Sequence, residues 1–338
     1  MPSIKIGIVG CGGISYYHMN HLLRIPEADV VAISDINKSN MSKLRKAFPR
    51  LLRCCETFTD YKDMLSTVKL EAVEILTPHA LHFEQALECL NRDLHLLIEK
   101  PMVCTVKQAK ELIAEIEEKK KVVLVSYQRH YQPQFRYIKK LIESGEIGEV
   151  QFISAMQCQD WMNFTKGTWR QDPKMGGGGP LIDSASHLLD VILWVTGLQP
   201  SEVVAFTDNL GTPVDVNSSI SVKFSNDAQA SIGIVGNSPC WEENITIWGS
   251  KGVVFYRNGR VEHLLFGGKV RIEPVKLPEA SNPDKNFVNA ILGKEENQAP
   301  PTCGLKVIEL TEAIWESAKS GKKTKVTCEE EKDQASSL

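Results

Sequence analysis

The chain has 338 residues, 42% hydrophobic and 24% charged, close to a globular average and long enough for two domains. Its 39 Lys and Arg against 42 Asp and Glu leave a formal charge of −3, without the basic surplus that nucleic-acid binding requires. No apolar run reaches the roughly 18 residues of a membrane span. Met1 to Gly10 reads as a strand, not as a secretory signal, and nine cysteines without a Cys-x-x-Cys pair suit a reducing cytoplasm, not a disulfide framework or a zinc site.

In chain order, Ile4 to Val9 is a short apolar run, and Ile14 to Arg24 has helical character. Val30 to Ser34, Ala72 to Leu76, Leu94 to Ile98 and Val122 to Val125 are further runs of strand length. Helical patterns lie between them at His82 to Asn91 and Val106 to Lys119. Continuous apolar strands alternating with helices predict a parallel sheet covered on both faces. Gln134 to Ser144 reads as a connecting helix, after which strands dominate: Val150 to Gln157, Ser219 to Phe224, Ala228 to Ile234 and Asn244 to Trp248. Short turns between them predict an antiparallel sheet, interrupted by one helix at about Leu181 to Thr196. A helical pair, Pro283 to Leu292 and Gly304 to Lys319, follows, the second helix packing back onto the first domain. The fold expected is α/β: an N-terminal Rossmann domain with a doubly wound parallel sheet over residues 1–127, then an α+β domain with a large, open, mostly antiparallel sheet over 128–328. The polar residues 329–338 read as a disordered tail.

Four motifs carry chemistry. Gly10-Cys11-Gly12-Gly13-Ile14-Ser15 follows a strand and opens a helix, a Gly-x-Gly-x-x-Ser variant of the dinucleotide fingerprint. Asp35 ends the second strand about 20 residues on, where an acid accepts from ribose hydroxyls and repels a 2′-phosphate, so NAD is expected over NADP. Thr77-Pro78-His79, with His82, sits past a strand end: the histidines line the cofactor, or Thr77 caps a helix and they are exposed. Glu99-Lys100-Pro101 follows the next strand; its Lys could donate to a substrate oxygen, or the tripeptide is a solvated turn. Gly176 to Pro180 leads into Leu181 to Asp190, where Asp183 and His187 stand four apart, on one face if the segment is helical. The carboxylate would then orient an imidazole base, bind a metal (no third ligand is evident), or accompany a buried structural His.

In combination these motifs, with Gly145-Glu146-Ile147-Gly148 and Phe287-Val288-Asn289-Ala290-Ile291, resemble the glucose–fructose oxidoreductase/inositol dehydrogenase (Gfo/Idh/MocA) family over nearly the whole chain. The resemblance implies NAD(P)-dependent oxidation or reduction of a sugar or cyclitol, with Lys100, Asp183 and His187 in catalysis. By the same analogy Gln128 lies near the nicotinamide, and Arg129, Trp169 and Arg170 reach the substrate or cofactor. His187 would act as base, Lys100 would hydrogen-bond the same oxygen, and Asp183 would orient His187 or bind a neighbouring hydroxyl. Relatives pair their open sheets, so a homodimer or homotetramer is expected, with Ile220, Val222 and Phe224 forming the apolar face. Alternatives are a nucleotide-sugar 3-dehydrogenase, another diol dehydrogenase, or a cofactor-binding regulator without turnover.

Overall fold

The computed structural model describes residues 3–326. The tail expected at 329–338 lies outside the described residues. The described residues form two compact units: residues up to Gln128 with Ser281–Gly304, and Arg129–Ala280 with the residues from Leu305 onward.

The first unit is built on six parallel strands: β1 (Ile4–Val9), β2 (Ala28–Ser34), β3 (Glu56–Phe58), β4 (Ala72–Ile75), β5 (His95–Ile98) and β6 (Val123–Val125). Their spatial order is β3-β2-β1-β4-β5-β6. The order reverses between β1 and β4, which opens a crevice at the carboxyl ends of the strands. Every residue of β4 and β6 is buried, as the continuous apolar runs require when helices cover both faces. The helices are α1 (Ser15–Leu22), α2 (Lys38–Ala47), α3 (Tyr61–Thr67), α4 (His82–Leu90) and α5 (Val106–Lys119). Strand β3, absent from the sequence reading, has three residues, none of them buried, and therefore no hydrophobic signature.

The second unit carries eight strands: β7 (Val150–Cys158), β8 (Pro200–Asp208), β9 (Asn217–Phe224), β10 (Gln229–Val235), β11 (Glu242–Gly249), β12 (Gly252–Arg257), β13 (Arg260–Leu265) and β14 (Thr324–Lys325). Their order is β13-β12-β11-β7-β10-β9-β8-β14; only the β7–β10 pair is parallel. Its helices are α6 (Pro133–Glu143), α7 (Trp161–Phe164), α8 (Pro173–Gly176) and α9 (Ser186–Thr196). Helix α10 (Pro283–Ile291) belongs to the first unit, and α11 (Pro301–Ser320) belongs to the second from Leu305 onward.

Two expectations change here. Ile220, Val222 and Phe224 are buried inside the second unit, so they form its core and not an interface. The opposite face stays open: Trp248 pairs with Phe152, while Val204 and Phe206 pair with the polar Ser221 and Ser219. Helix α9 starts at Ser186, not at Leu181, because residues 181–185 form turns. The backbone bonds of this segment are irregular: Ala185 N–H reaches the Pro180 carbonyl five residues back at 2.7 Å, and the regular four-residue ladder is in place at Leu189 N–H to the Ala185 carbonyl at 2.9 Å, while the buried Asp215 carboxylate accepts Gly179 N–H at 3.0 Å on Oδ1 and Leu181 N–H at 3.1 Å on Oδ2.

Candidate active site

In the first unit the glycine turn sits on the end of β1. Gly10 has φ +99°, and a Cβ there would lie 2.6 Å from the Leu76 carbonyl oxygen, so only glycine fits. A Cβ on Gly12 or Gly13 would project into open space. Backbone N–H groups of this turn and the start of α1 therefore border a cradle suited to a pyrophosphate, with Ile14 as the residue before the helix. Ser15 is buried, its hydroxyl donating to the Gly12 carbonyl at 2.6 Å. Asp35 accepts Cys11 N–H at 2.8 Å on Oδ2 and Asn37 N–H at 2.7 Å on Oδ1. Burial, then the Asp35 charge, push the Cys11 thiol far above its ordinary pKa, so this cysteine is a packing residue.

Past β4, the Thr77 hydroxyl donates to Gln85 at 2.6 Å, and Pro78 precedes a single helical turn, His79–Leu81. His79 and His82 are buried, not exposed. The ring nitrogens of His82 lie 2.8 Å from the Pro101 carbonyl and 2.9 Å from the Thr77 carbonyl. Burial holds its pKa below the ordinary imidazole value. His82 thus ties the loop after β4 to the loop after β5, and its ring faces the protein. Glu99 is also buried, so the Glu-Lys-Pro segment is not a solvated turn. Its Oε2 accepts the Lys100 backbone N–H at 3.1 Å. Lys100 is half-buried, and its bond to Pro101 is cis. Gln128, also half-buried, opens the turn Gln128–Tyr131.

In the second unit Asp183 lies in the turn just before α9, and His187 in the first turn of that helix, half-buried. Asp183 Oδ2 accepts both Trp161 Nε1–H at 2.8 Å and Arg170 Nε–H at 3.1 Å. The Arg170 guanidinium stacks on Trp169, 4.4 Å from its ring centre. Asp183, Trp169 and Arg170, read separately from the sequence, thus form one cluster, and Trp161 is its unread fourth member. Arg129 has structural partners of its own. It is buried in the second unit, ion-paired with Glu243 of β11 and lying over the Phe135 ring, while its Nη1 is buried without a hydrogen-bond partner among the described residues.

Sequence reading missed a buried group in the first unit. His18 on α1 joins Glu99 to Asp284 on α10, with Glu74 on β4 beside it and the partly exposed His21 bonded to Asp284. No local pattern marks them, since His18 and Asp284 are joined only by the fold.

Comparison with known proteins bears on all of this. Residues 4–127 match the oxidoreductase family with an NAD-binding Rossmann fold, and residues 135–255 match the GFO/IDH/MocA C-terminal domain. A myo-inositol 2-dehydrogenase from Thermotoga maritima is 22% identical over 270 residues, 76% of this chain and 76% of that protein. A levoglucosan dehydrogenase solved with NADH and levoglucosan superposes with a TM-score of 0.87 at 20% identity, covering 96% of this chain and 100% of the other. The WlbA dehydrogenase from Bordetella pertussis, solved with NADH and UDP-GlcNAcA, gives 0.82 at 24% identity, over 97% and 99%. At such identities the structural likeness is one of fold. With its NAD-binding domain and its C-terminal domain both matched, this chain belongs to the Gfo/Idh/MocA family of NAD-dependent oxidoreductases.

Proposed function

We propose that the protein transfers a hydride between NAD and a secondary alcohol of a sugar or cyclitol. The observation that carries the reading is a placement within the first unit. The glycine turn, Asp35 and Lys100 all stand at the carboxyl ends of strands β1, β2 and β5, where a doubly wound sheet binds its ligands. The cradle over Gly12 and Gly13, with Asp35 beside it, fits a dinucleotide. When bound, the nicotinamide supplies the hydride chemistry.

The chain supplies position and proton transfer. Lys100 donates a hydrogen bond to the reacting oxygen and stabilises its developing charge. His187 removes the hydroxyl proton during oxidation and returns it during reduction. Asp183 holds Arg170 and Trp161 at the start of α9, and Trp169 with Arg170 offers an aromatic and cationic surface suited to a polyol. Thr77, Pro78, His79 and Gln128 belong to the cofactor side of this reading. Homo-oligomerisation through the open face of the eight-stranded sheet is also part of it, supported by exposed Phe152, Met156, Val204, Phe206 and Trp248. So is a cytoplasmic setting, in which the free thiols of the described cysteines stay reduced.

The test is NADH formation with a panel of inositols, free aldoses and nucleotide sugars, in wild type, Lys100→Ala and His187→Ala. A rate on one substrate group is expected, falling roughly 10²–10⁴-fold in His187→Ala while NAD affinity stays near normal. Stoichiometric NAD binding with no turnover on any substrate would replace this reading by a regulator. A fully active His187→Ala would move the base to Lys100.

A further inference from the structure

The buried group around His18 has a geometry of its own. His18, Glu74 and Asp284 are fully buried, and Glu99 is nearly so. His18 Nε2 lies 3.1 Å from Glu99 Oε1, and its Nδ1 lies 2.8 Å from Asp284 Oδ1. Asp284 Oδ2 is 2.8 Å from Nδ1 of His21, which is partly exposed. Glu74 Oε2 stands 3.8 Å from His18 Nδ1. The remaining carboxylate oxygen of Glu99 accepts the Lys100 backbone N–H. A chain of alternating carboxylates and imidazoles therefore runs from α10 through α1 to the residue that precedes Lys100.

Both ring nitrogens of His18 face carboxyl oxygens, an arrangement that favours an imidazolium donating through both. Burial opposes that charge, but the charge and hydrogen bond of Asp284 and the hydrogen bond of Glu99 outweigh it and hold the His18 pKa well above its usual value. Burial likewise would raise Glu99. The hydrogen bond and charge of His18, with the Lys100 ammonium and Ser126, overcome it and keep Glu99 below the usual carboxylate range. Tyr17 also faces the cluster from α1, and His82 faces Glu99 from α4. Buried ion networks are poor stabilisers, and a well-packed apolar set commonly serves a core as well or better. Stability alone does not call for this one.

We propose that His18, clamped by Asp284, is a positioning residue that keeps Glu99 ionised and aimed at the Lys100 backbone N–H, and so holds the turn presenting Lys100. The proposal rests on the reading of Lys100 as the donor to the reacting oxygen. Without His18 the influences that favour the Glu99 carboxylate shrink and burial prevails. Glu99 then takes up a proton at a higher pH than in the wild type, and its grip on the turn becomes pH-dependent.

The experiment follows two readouts across about pH 5.5 to 9.5 on the full chain. One is the hydrogen-exchange protection of the Lys100 amide. The other is kcat with the best substrate of the panel. Wild type, His18→Gln, Asp284→Asn and Glu99→Gln are compared, with 15N-histidine NMR of wild type reporting the His18 ring. A doubly protonated His18 ring is expected near pH 7. In His18→Gln, protection and kcat should fall about tenfold per pH unit below the new Glu99 titration and recover toward wild type at high pH. Glu99→Gln should stay low at every pH. A merely structural His18 would lower both readouts without recovery at high pH, and a wild-type profile in His18→Gln or a neutral His18 ring would equally overturn the proposal. If His18→Gln does not fold, Asp284→Asn must show the same recoverable acid limb. The two readings separate cleanly. A fully active Lys100→Met removes the catalytic reading, whereas an inactive Lys100→Met beside a pH-independent His18→Gln removes only the positioning role.

Discussion

The Cys11 backbone N–H donates to Oδ2 of Asp35 at 2.8 Å, which fastens the glycine turn after β1 to the end of β2. The acid proposed to select the cofactor is thus also a strut of the glycine turn. Replacing Asp35 by Ser should narrow the NAD-over-NADP preference in kcat/KM by about tenfold, roughly 1.4 kcal/mol. It should also lower stability by about 1–3 kcal/mol, because the Cys11 and Asn37 amides lose a charged acceptor. Steady-state kinetics with both cofactors and a urea titration check the two halves separately. A wild-type enzyme that prefers NADP would contradict the assignment.

Gly179 admits no side chain. A Cβ there would sit 1.7 Å from the Asp215 carbonyl oxygen, while the Asp215 side chain accepts from Gly179, Leu181 and Trp315. Gly179→Ala should force the approach to Asp183 away from β9 and destabilise the protein by about 2–4 kcal/mol. Denaturant unfolding measures this, and a loss within the error of the extrapolation would show that the close approach is not maintained.

The open sheet face is the candidate contact between copies. Phe206 is 73% exposed there and Trp248 38%, while Ser219, Ser221 and Lys223 keep the centre polar. Phe206→Glu together with Trp248→Glu should convert a dimer or tetramer into monomers at micromolar concentration, with little change in melting temperature of the monomer itself. Light scattering decides it. A wild-type protein that is already monomeric, or a variant that keeps its mass, would place any association elsewhere.

Glu74 offers a pH signature. Burial and the neighbouring Asp284 charge raise its pKa well above the usual value, against the pull of His18, so the native state keeps a proton that the unfolded chain releases. Between the unfolded Glu value, about 4.3, and the raised native one, the unfolded state binds fewer protons, and native stability declines as pH rises. Glu74→Gln removes that proton linkage while preserving a donor. Relative to wild type, the variant should be near-equal at pH 4 and gain up to about 1.4 kcal/mol for each pH unit through the window. Unfolding curves at several pH values test the slope, and a difference that does not grow with pH would count against a protonated Glu74.

Much of this protein is legible along the chain. The apolar runs at β1, β2, β4, β5 and β6 each mark a buried strand, because two-sided burial leaves a continuous signal. Strand β3 leaves none, being short and unburied. Alternation at Ile220, Val222 and Phe224 shows that one face of β9 is covered, but a period of two is the same whether helices or another copy of the chain cover it. Arg129 reads from the sequence as a cation, and only the fold pairs it with Glu243.

The sequence by itself determined five strands of the first sheet and the family: a glycine turn after an apolar strand, an acid ending the next one, and Lys100, Asp183 and His187 in recognisable settings. Those signals are local, set by steric limits and periodicity over a few residues. Only the tertiary structure decided which charges are neutralised inside. His18 and Asp284 are separated by 266 residues and meet at 2.8 Å, and Trp161 and Arg170 converge on one oxygen of Asp183. The reason is physical. A buried charge has to find its partner in space, and neither composition nor spacing records a contact that exists only once the chain has closed on itself.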